Sequence, residues 1–331
     1  MESNERIETK VSLPIVTRLK QFQHTYEAQI NTVIALFILC VILSFLSDSF
    51  LSVDNLITVI LQSTLVSTLA IAETFIIITG GIDLSVGAVV ALSSAFMGEL
   101  VVHGHVNPFL GLGIALLIGI MAGFIHSILI TKANIPPFIV TLGTMTVWRG
   151  IALQFTNGQN IYDLPPQLTW LGQGSIGPIP VAVLLTILLY FIAWFILTRT
   201  KLGLHIYAIG GNQQAARLSG INLDKTKMVV YTLGGLLCAI AAIVISGRMN
   251  ATSGNTAAGY ELDAIAAVVI GGTSLMGGEG VVWGSLIGAV MMQIIRNGMN
   301  LLNVSAFYQM VVIGAVIIIA VGGDTIRRKL K

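Results

Sequence analysis

Five charged side chains stand inside or beside long apolar stretches of this sequence. Glu73 interrupts one such stretch, Arg149 ends another, Asp83 lies between two, and Glu261 and Asp263 open a fourth. A charged group at the centre of a membrane helix costs about 2.5–3.5 kcal/mol on insertion scales, so each of them needs a partner, a polar path or a helix end. These residues are therefore the first candidates for chemistry in the chain.

Each of these carboxylates has a structural alternative to a functional role. Asp83 can accept backbone N–H groups where the next helix begins, a role that is compatible with lining a path. Glu261 and Asp263 can mark an interfacial helix start, where carboxylates favour the positive end of the helix dipole. For Glu73 we favour a buried pair or a path-facing position, and the sequence names no partner for it.

Two threonines and a tryptophan recur at helical spacing in the stretch PPFIVTLGTMTVWRG. Pro136 and Pro137 predict a break just before a helix, and Thr141, Thr144 and Trp148 then share one face of it. Hydroxyl groups beside an aromatic ring suit a polyol, which offers hydrogen bonds and an apolar ring face. The alternative is that each threonine hydroxyl bonds back to its own helix.

Two glycine-rich segments share the form GGxxLxxG, namely GGIDLSVG at 80–87 and GGTSLMGG at 271–278. Each follows one apolar stretch and precedes another, and duplicated broken helices near a substrate path are common in transporters. Eight residues also match by chance in a chain with 35 glycines, so a true repeat and a coincidence both stay open.

Small residues also recur at four-residue spacing in two apolar stretches. Such spacing lets membrane helices approach closely, either within one subunit or at an interface between subunits. The two sets are Ala115, Gly119 and Gly123, and Gly280, Gly284 and Gly288.

Nucleotide and metal motifs are absent from the sequence. It has no GxxxxGK[ST] phosphate loop and no HExxH, its five histidines are scattered, and Cys40 and Cys238 both lie in apolar stretches. We predict no metal site, no catalytic residue and no cofactor in this chain. If ATP drives the protein, another chain hydrolyses it. The net charge of +2 is too small to indicate nucleic acid binding.

The composition indicates that lipid is the solvent for most of the chain. Apolar residues make up 55% and charged residues 10%, against about 25% charged in a soluble domain. We therefore predict an all-α membrane protein, a polytopic bundle of about ten transmembrane helices, of which the second and eighth are interrupted or short. The predicted spans are 30–50, 56–79, 85–103, 109–131, 138–156, 180–198, 228–247, 261–274, 281–299 and 309–323.

Basic residues predict the orientation of these spans. With ten spans, 14 of the 17 Lys and Arg residues fall on the same side as both termini, which is therefore the cytoplasmic side. The polar N-terminus lacks the pattern of a cleavable signal. We expect a cytoplasmic tail at 1–29, a single transmembrane domain at 30–325 and a basic cytoplasmic tail at 326–331.

The longest loop, about 199–227, has the signals of a short helix. Asn212 suits an N-cap, residues 213–218 form helix well, and Gly220 suits the position after a helix end. Ala215 and Ala216 are small on one side of it. We expect an ordered helix on the cytoplasmic surface, and the alternative is a solvated basic loop.

Four long motifs resemble the permease subunits of bacterial ABC sugar importers of the ribose, galactose and xylose type, most closely the ribose permeases. They are GGIDLSVGAVVAL, IPPFIVTLGTM, IYAIGGNQQAARLSGI and GYELDAIAAVVIGGTSLMGG, and the resemblance covers about residues 50–325. It implies that the chain translocates ribose or a similar pentose across the inner membrane. The alternatives are xylose, allose, galactose or autoinducer-2 as the ligand, and an ion-coupled secondary transporter. A membrane-embedded enzyme would need a nucleophile or metal constellation.

The resemblance also implies the partners of the chain. They are a second permease copy, a cytoplasmic ATP-binding subunit that holds ATP and Mg²⁺, a periplasmic sugar-binding protein and the surrounding lipid. The cytoplasmic loop would dock on the ATPase through Gly210, Gly211, Asn212, Ala215, Ala216 and Gly220. As candidates for surfaces that the sugar passes we take Glu73, Asp83, Ser85, Thr141, Thr144, Asp263, Gly271, Gly272, Thr273 and Ser274.

Overall fold

The chain forms a helical bundle in a computed structural model that describes residues 15–329. Thirteen α-helices run through this range. They are α1 (Ile15–Leu46), α2 (Val53–Ile78), α3 (Val86–Gly98), α4 (Pro108–Thr131), α5 (Pro137–Phe155), α6 (Pro166–Gln173), α7 (Val181–Arg199), α8 (Lys201–Gly211), α9 (Gln213–Leu218), α10 (Leu223–Met249), α11 (Tyr260–Ile270), α12 (Val282–Leu301) and α13 (Ala306–Lys329). A π-helical turn at Glu99–His103 extends α3.

Four two-residue strands lie outside the long helices. β1 (Ile161–Tyr162) pairs antiparallel with β4 (Ala251–Thr252), and β2 (Ser175–Ile176) pairs antiparallel with β3 (Ile179–Pro180). The first pair ties the segment after α5 to the segment after α10, so the same end of the bundle holds both.

Eight helices of the described range are long and apolar enough to cross a membrane. They are the apolar part of α1 from Gln29, α2, α3 with its π turn, α4, α5, α7, α10 and α13. The predicted spans at 261–274 and 281–299 correspond to α11 and α12. α11 has only 11 residues, so at 1.5 Å per residue it is about 16 Å long, roughly half of the hydrocarbon thickness.

One detail of the predicted spans was wrong. The second span is not interrupted, because α2 runs unbroken through 26 residues. α1 begins at Ile15, so part of the segment predicted as a cytoplasmic tail at 1–29 is helical, and its position in the cytoplasm stays a prediction. Residues 1–14 and 330–331, which belong to the two predicted tails, lie outside the described residues.

α2 is the central helix of the bundle. Every residue from Ser63 to Ile78 is buried, and the helix packs against α7, α10, α11 and α12. A helix that is apolar on all sides is stable only where protein or lipid surrounds it. α1, α5 and α13 are peripheral and expose large apolar side chains such as Phe37, Phe138 and Phe307, as expected for surfaces that face lipid.

The small residues at four-residue spacing pack within the subunit. Gly119 and Gly123 of α4 lie directly against the backbone of α10, and Gly284 and Gly288 of α12 lie against α11 and the residue that follows it. A methyl group at any of these positions would meet backbone atoms that cannot move aside. Of the two expected explanations, close packing inside one chain is confirmed for these glycines.

Candidate functional site

The first GGxxLxxG segment is a break between α2 and α3. α2 ends in a glycine cap, in which Gly80 has φ of +79° and the amide of Gly81 donates to the carbonyl of Ile76 at 3.1 Å. Asp83 then caps the start of α3, since its Oδ1 accepts hydrogen bonds from the amide and the hydroxyl of Ser85 at 2.7 and 2.6 Å. The capping role expected for Asp83 is confirmed.

Asp83 belongs to a buried polar chain that reaches α4 and α5. The indole N–H of Trp148 donates to Nε2 of His126 at 3.0 Å, and Nδ1 of His126 lies 3.7 Å from Oδ2 of Asp83. Because an indole nitrogen can only donate, Nε2 is the acceptor and the proton of a neutral ring lies on Nδ1, facing Asp83. The chain thus brings together Asp83, Ser85 and Trp148 through His126, which the sequence analysis had left among scattered histidines.

Glu73 is fully buried in α2 near the same break. Its carboxylate lies near the backbone amide of Asp83 without a well-formed hydrogen bond, and the Asp83 carboxylate acts on it as a like charge. The hydroxyl of Tyr231 from α10 also has no hydrogen-bond partner in the described part of the chain and lies against Gly81. Glu73 has no exposed surface in this structure, so its path-facing role stays a prediction. Among the described side chains, no three His, Cys, Asp or Glu groups are close enough to hold a metal ion.

The two threonines of α5 bond back to their own helix. The hydroxyl of Thr141 is buried and lies 3.0 Å from the carbonyl of Pro137 and 3.2 Å from that of Ile82 in the first break. The hydroxyl of Thr144 donates to the carbonyl of Val140 at 2.9 Å. The structural alternative is therefore present for both, and Thr141 also ties α5 to the break.

The exposed face of α5 lies next to Thr141 and Thr144 and carries both polar and apolar side chains. It borders a cleft of about 680 Å³, which is lined by Thr146, Val147, Gly150, Ile151, Gln154 and Phe155. Gly143 and Gly150 lie two turns apart on α5. A Cβ added at either position would have no neighbouring atom within 4 Å. Thr146 and Gln154 thus place polar groups on an open surface of a membrane helix, and the sequence analysis had not singled them out.

The second break separates α11 from α12. α11 ends like α2, with Gly272 at φ of +91° and the amide of Thr273 donating to Val268 at 3.1 Å. Ser274 then accepts the amide of Met276 at 3.2 Å, the same two-residue spacing as Asp83 and Ser85. The glycine caps are offset by one residue when the two GGxxLxxG segments are aligned, so the caps do not by themselves distinguish a true repeat from a coincidence. Gly271 lies directly against Gly284, while Thr273 and Ser274 are buried.

Asp263 lies in the first turn of α11 and forms an ion pair inside the bundle. Its Oδ2 accepts from Nη2 and Nε of Arg296 in α12 at 2.6 and 2.8 Å, and Asp263 is fully buried. The guanidinium also lies 5.4 Å from the centre of the Tyr260 ring. Asp263 therefore joins the half-length α11 to α12, and Arg296 is the partner that the sequence alone did not name.

The two breaks meet the end of α8 at one junction of backbone atoms. The amide of Gly278 donates to the carbonyl of Ile78 at 2.9 Å, so the second break is bonded to the end of α2. Gly210 lies directly against both of these groups, and Gly211 lies against Gly278. We call Ile78, Gly210, Gly277 and Gly278 the glycine junction. It links the predicted coupling segment to both predicted path segments.

A tyrosine of α8 adds a side-chain bond to this junction. The hydroxyl of Tyr207 donates to the carbonyl of Gly280 at 2.8 Å. Burial raises the pKa of the Tyr207 phenol above its ordinary value, so the hydroxyl keeps its proton and remains a donor through neutral pH.

The helix predicted at 213–218 is present as α9. Asn212 is its N-cap and accepts the amide of Ala215 at 2.9 Å, and Gly220 has φ of +82° after its end. Ala215 and Ala216 do not share an exposed side, because Ala216 is buried against Ile209 and Leu223. The exposed apolar side chain of this helix is Leu218, at 83% exposure, which the sequence analysis had not noted. Whether the loop docks on an ATPase stays a prediction.

Comparison with known proteins adds independent support to this architecture. Residues 55–321 match the family described as branched-chain amino acid transport system, permease component. The chain is 44% identical over 290 residues to the ribose import permease protein RbsC of Bacillus subtilis, an alignment that covers 87% of this chain and 90% of the relative. No solved structure matches it.

Two further relatives match over similar lengths. The ribose import permease protein RbsC of Haemophilus influenzae is 41% identical over 295 residues, covering 88% of this chain and 91% of the relative. The D-allose transport system permease protein AlsC of Escherichia coli is 37% identical over 283 residues, covering 85% and 86%. Together with the helical bundle and its breaks, these matches mean that the chain belongs to this permease family and is the membrane-spanning subunit of an ABC importer of the monosaccharide type.

Proposed function

We propose that this permease imports ribose, or a pentose close to it, across the inner membrane. The identity to two ribose import permeases, 44% and 41%, supports this substrate. The 37% identity to a D-allose permease supports a second candidate substrate, a hexose that differs from ribose by one CHOH unit.

The sugar passes between two copies of the permease, along the open face of α5. The observation that carries this proposal is the exposed cleft beside Thr146, Gly150 and Gln154, on a helix that lies at membrane depth. Lipid offers no hydrogen bonds to such polar groups. A second copy facing the same cleft would enclose it as a polar passage, and Thr141 and Thr144 would lie just behind its wall.

ATP hydrolysis takes place on a separate chain that holds ATP and Mg²⁺. That ATPase docks on α8 and α9, where Ala215 and Leu218 are exposed. Its motion reaches both breaks through the glycine junction. A sugar-binding protein delivers the sugar at the opposite end of the bundle, and lipid covers the exposed apolar faces of α1, α7 and α13.

Both termini face the cytoplasm in this arrangement. The excess of Lys and Arg on that side supports the orientation. α8 and α9 follow the end of α7 that carries Arg199, so the docking surface and the basic residues lie at the same end.

Reconstitution tests this function directly. The permease is placed in liposomes with its ATPase and binding protein, and uptake of radiolabelled ribose is measured with and without ATP. Unlabelled ribose should suppress uptake far more than xylose or allose at equal concentration. Native mass spectrometry of the purified complex should give two permease chains. If allose suppresses uptake more strongly than ribose, the substrate is a hexose. Uptake without ATP would refute the ABC mechanism.

A further inference from the structure

The segment Ser253–Gly259 is a stretch of non-helical backbone that packs among the predicted membrane-spanning helices. It connects α10, which ends at Met249, to α11, which begins at Tyr260. Its Ala257 packs among buried residues from the middle of α2 and α10, including Leu65 and Cys238. The segment therefore runs from the end of α10 inward between the helices, to the point where α11 begins.

One side of this segment is held by hydrogen bonds from within the protein. Nη1 of Arg149, in the last third of α5, donates to the carbonyls of Gly254 at 3.1 Å and Thr256 at 2.8 Å. The amide of Gly259 donates to Oε1 of Glu261 at 3.2 Å. Arg149 thus supplies donors to carbonyls that no helix satisfies, and its position inside a membrane span has a structural reason.

The packing on this side leaves no room for larger residues. Gly254 lies against the backbone of Leu153 in α5, and Gly87 in the first turn of α3 lies against the carbonyl of Ala257 and the carboxylate of Glu261. Ala257 itself has φ of +56°, a conformation that residues with a Cβ rarely adopt. Such backbone persists only where the surroundings determine it, and it is concentrated at functional sites.

The other side of the segment is open. Asn255, Ala258 and Gly259 are exposed, as is Leu262 in the first turn of α11. The segment lies beside α5 at Leu153, next to Gln154 at the end of the open cleft. Non-helical backbone is not tolerated against lipid, and at membrane depth it occurs only where protein buries it or a water-filled cavity meets it.

We propose that Ser253–Gly259, between the end of α5 and the start of α11, lines a water-filled part of the sugar path. The carboxamide of Asn255 and the open backbone at Ala258 and Gly259 face the passing sugar and exchange hydrogen bonds with its hydroxyl groups. Arg149 is a positioning residue that holds the segment in place from behind. The identity of the ligand rests on the proposed sugar transport, whereas the exposure to water does not.

Cysteine labelling in the complete importer tests the exposure to water. Cys40 and Cys238 are first replaced by alanine, and the background is accepted only if it transports. Asn255→Cys and Ala258→Cys are then treated with a charged methanethiosulfonate reagent. Gln173→Cys, at the end of the short helix α6, is the control in water, and Phe195→Cys, at a position on α7 that is 54% exposed, is the control in hydrocarbon.

Because the thiolate is the reacting form and does not form in hydrocarbon, the controls should differ by about 100-fold or more. We expect Asn255→Cys and Ala258→Cys to react within about tenfold of Gln173→Cys. Rates as slow as that of Phe195→Cys would overturn the proposal. Labelling that appears only after the two permease copies are separated in detergent would also overturn it and assign the segment to the interface between copies. Neither outcome depends on which sugar is carried.

The role of Arg149 is tested in the same Asn255→Cys background. Arg149→Gln removes the cation that faces the two carbonyls, and we expect the labelling rate of Asn255→Cys to change by about tenfold or more and uptake to fall in parallel. Arg149→Lys keeps the positive charge and should restore at least half of both values. If Arg149→Gln lowers the amount of folded permease but the protein that remains labels at the unchanged rate, Arg149 supports the fold and does not position the segment.

Discussion

The amide of Gly278 donates a 2.9 Å hydrogen bond to the carbonyl of Ile78, so the segment before α12 is bonded to the last residue of α2. Gly210 at the end of α8 lies against both groups. A displacement of α8 must therefore move the ends of two membrane helices together, because nothing compressible lies between these backbone atoms. This contact suggests how an event at the coupling loop reaches the interior of the bundle.

Gly210→Ala should uncouple transport. Its methyl group would collide with the carbonyl of Ile78 and the amide of Gly278, and overpacking of this kind costs about 1–3 kcal/mol. We expect uptake to fall about tenfold or more while the ATPase still copurifies. Gly211→Ala is the steric control, because a Cβ there meets nothing within 4 Å. Since Gly211 also belongs to the predicted docking loop, this control is accepted only if its ATPase copurifies at the normal ratio. Equal uptake by the two variants would show that the junction does not transmit motion.

Ala215→Glu and Ala216→Glu should fail in different ways. Ala215 is exposed on α9, so the added charge should leave the amount of permease in the membrane unchanged and reduce copurification of the ATPase. Ala216 is buried against Ile209 and Leu223, so the same change should destabilise the loop, since a buried unpaired charge is costly. Immunoblots of membranes and the ratio of copurified subunits distinguish the two. Normal ATPase binding by Ala215→Glu would remove α9 from the docking surface.

Loss of Arg296 should be worse than loss of the whole ion pair. Arg296→Ala leaves Asp263 buried without its partner, at a cost of about 3 kcal/mol, the lower end for a buried pair because a quarter of the Arg296 side chain is accessible. Asp263→Asn combined with Arg296→Gln should recover much of this loss. Thermal unfolding of the purified variants in detergent measures both. If the double variant is no more stable than Arg296→Ala, the charge of Asp263 does not affect the stability of the bundle.

A test of orientation uses two exposed glutamines. In the background without native cysteines, Gln173→Cys should react with an impermeant reagent added from the periplasm. Gln214→Cys on α9 should react only after the membrane is opened, because the basic residues predict a cytoplasmic position for this helix. Reaction of both from the same side would contradict the single crossing by α7 that lies between them in the proposed topology.

The sequence predicted the places of the long helices because apolar length alone determines where a chain can cross a bilayer. It also predicted the start of α11, because the predicted span 261–274 begins one residue after Tyr260, whereas it placed the end four residues beyond Ile270. It also missed that α2 is continuous, since the polar residues Thr64 and Thr68 bond back to their own helix.

The hydrogen-bond and ion-pair partners of the buried polar residues could not be predicted from the sequence. Arg296 lies 33 positions from Asp263, and His126 lies 43 and 22 positions from Asp83 and Trp148. Local signals such as the Asn212 cap and the turn at Gly220 were read correctly because their partners are a few residues away. Contacts between distant helices depend on how the helices pack, which no pattern within one helix encodes.

The short length of α11 has a consequence for biogenesis. Eleven residues are too few for the insertion machinery to recognise as a spanning helix, and α11 carries Glu261 and Asp263 in its first turn. We therefore expect it to enter the bilayer only together with α10 and α12, after Arg296 has left the ribosome and can neutralise Asp263. Residues 223–301 would then be integrated as one late unit, and a nascent chain stopped before Arg296 should leave α11 outside the bilayer.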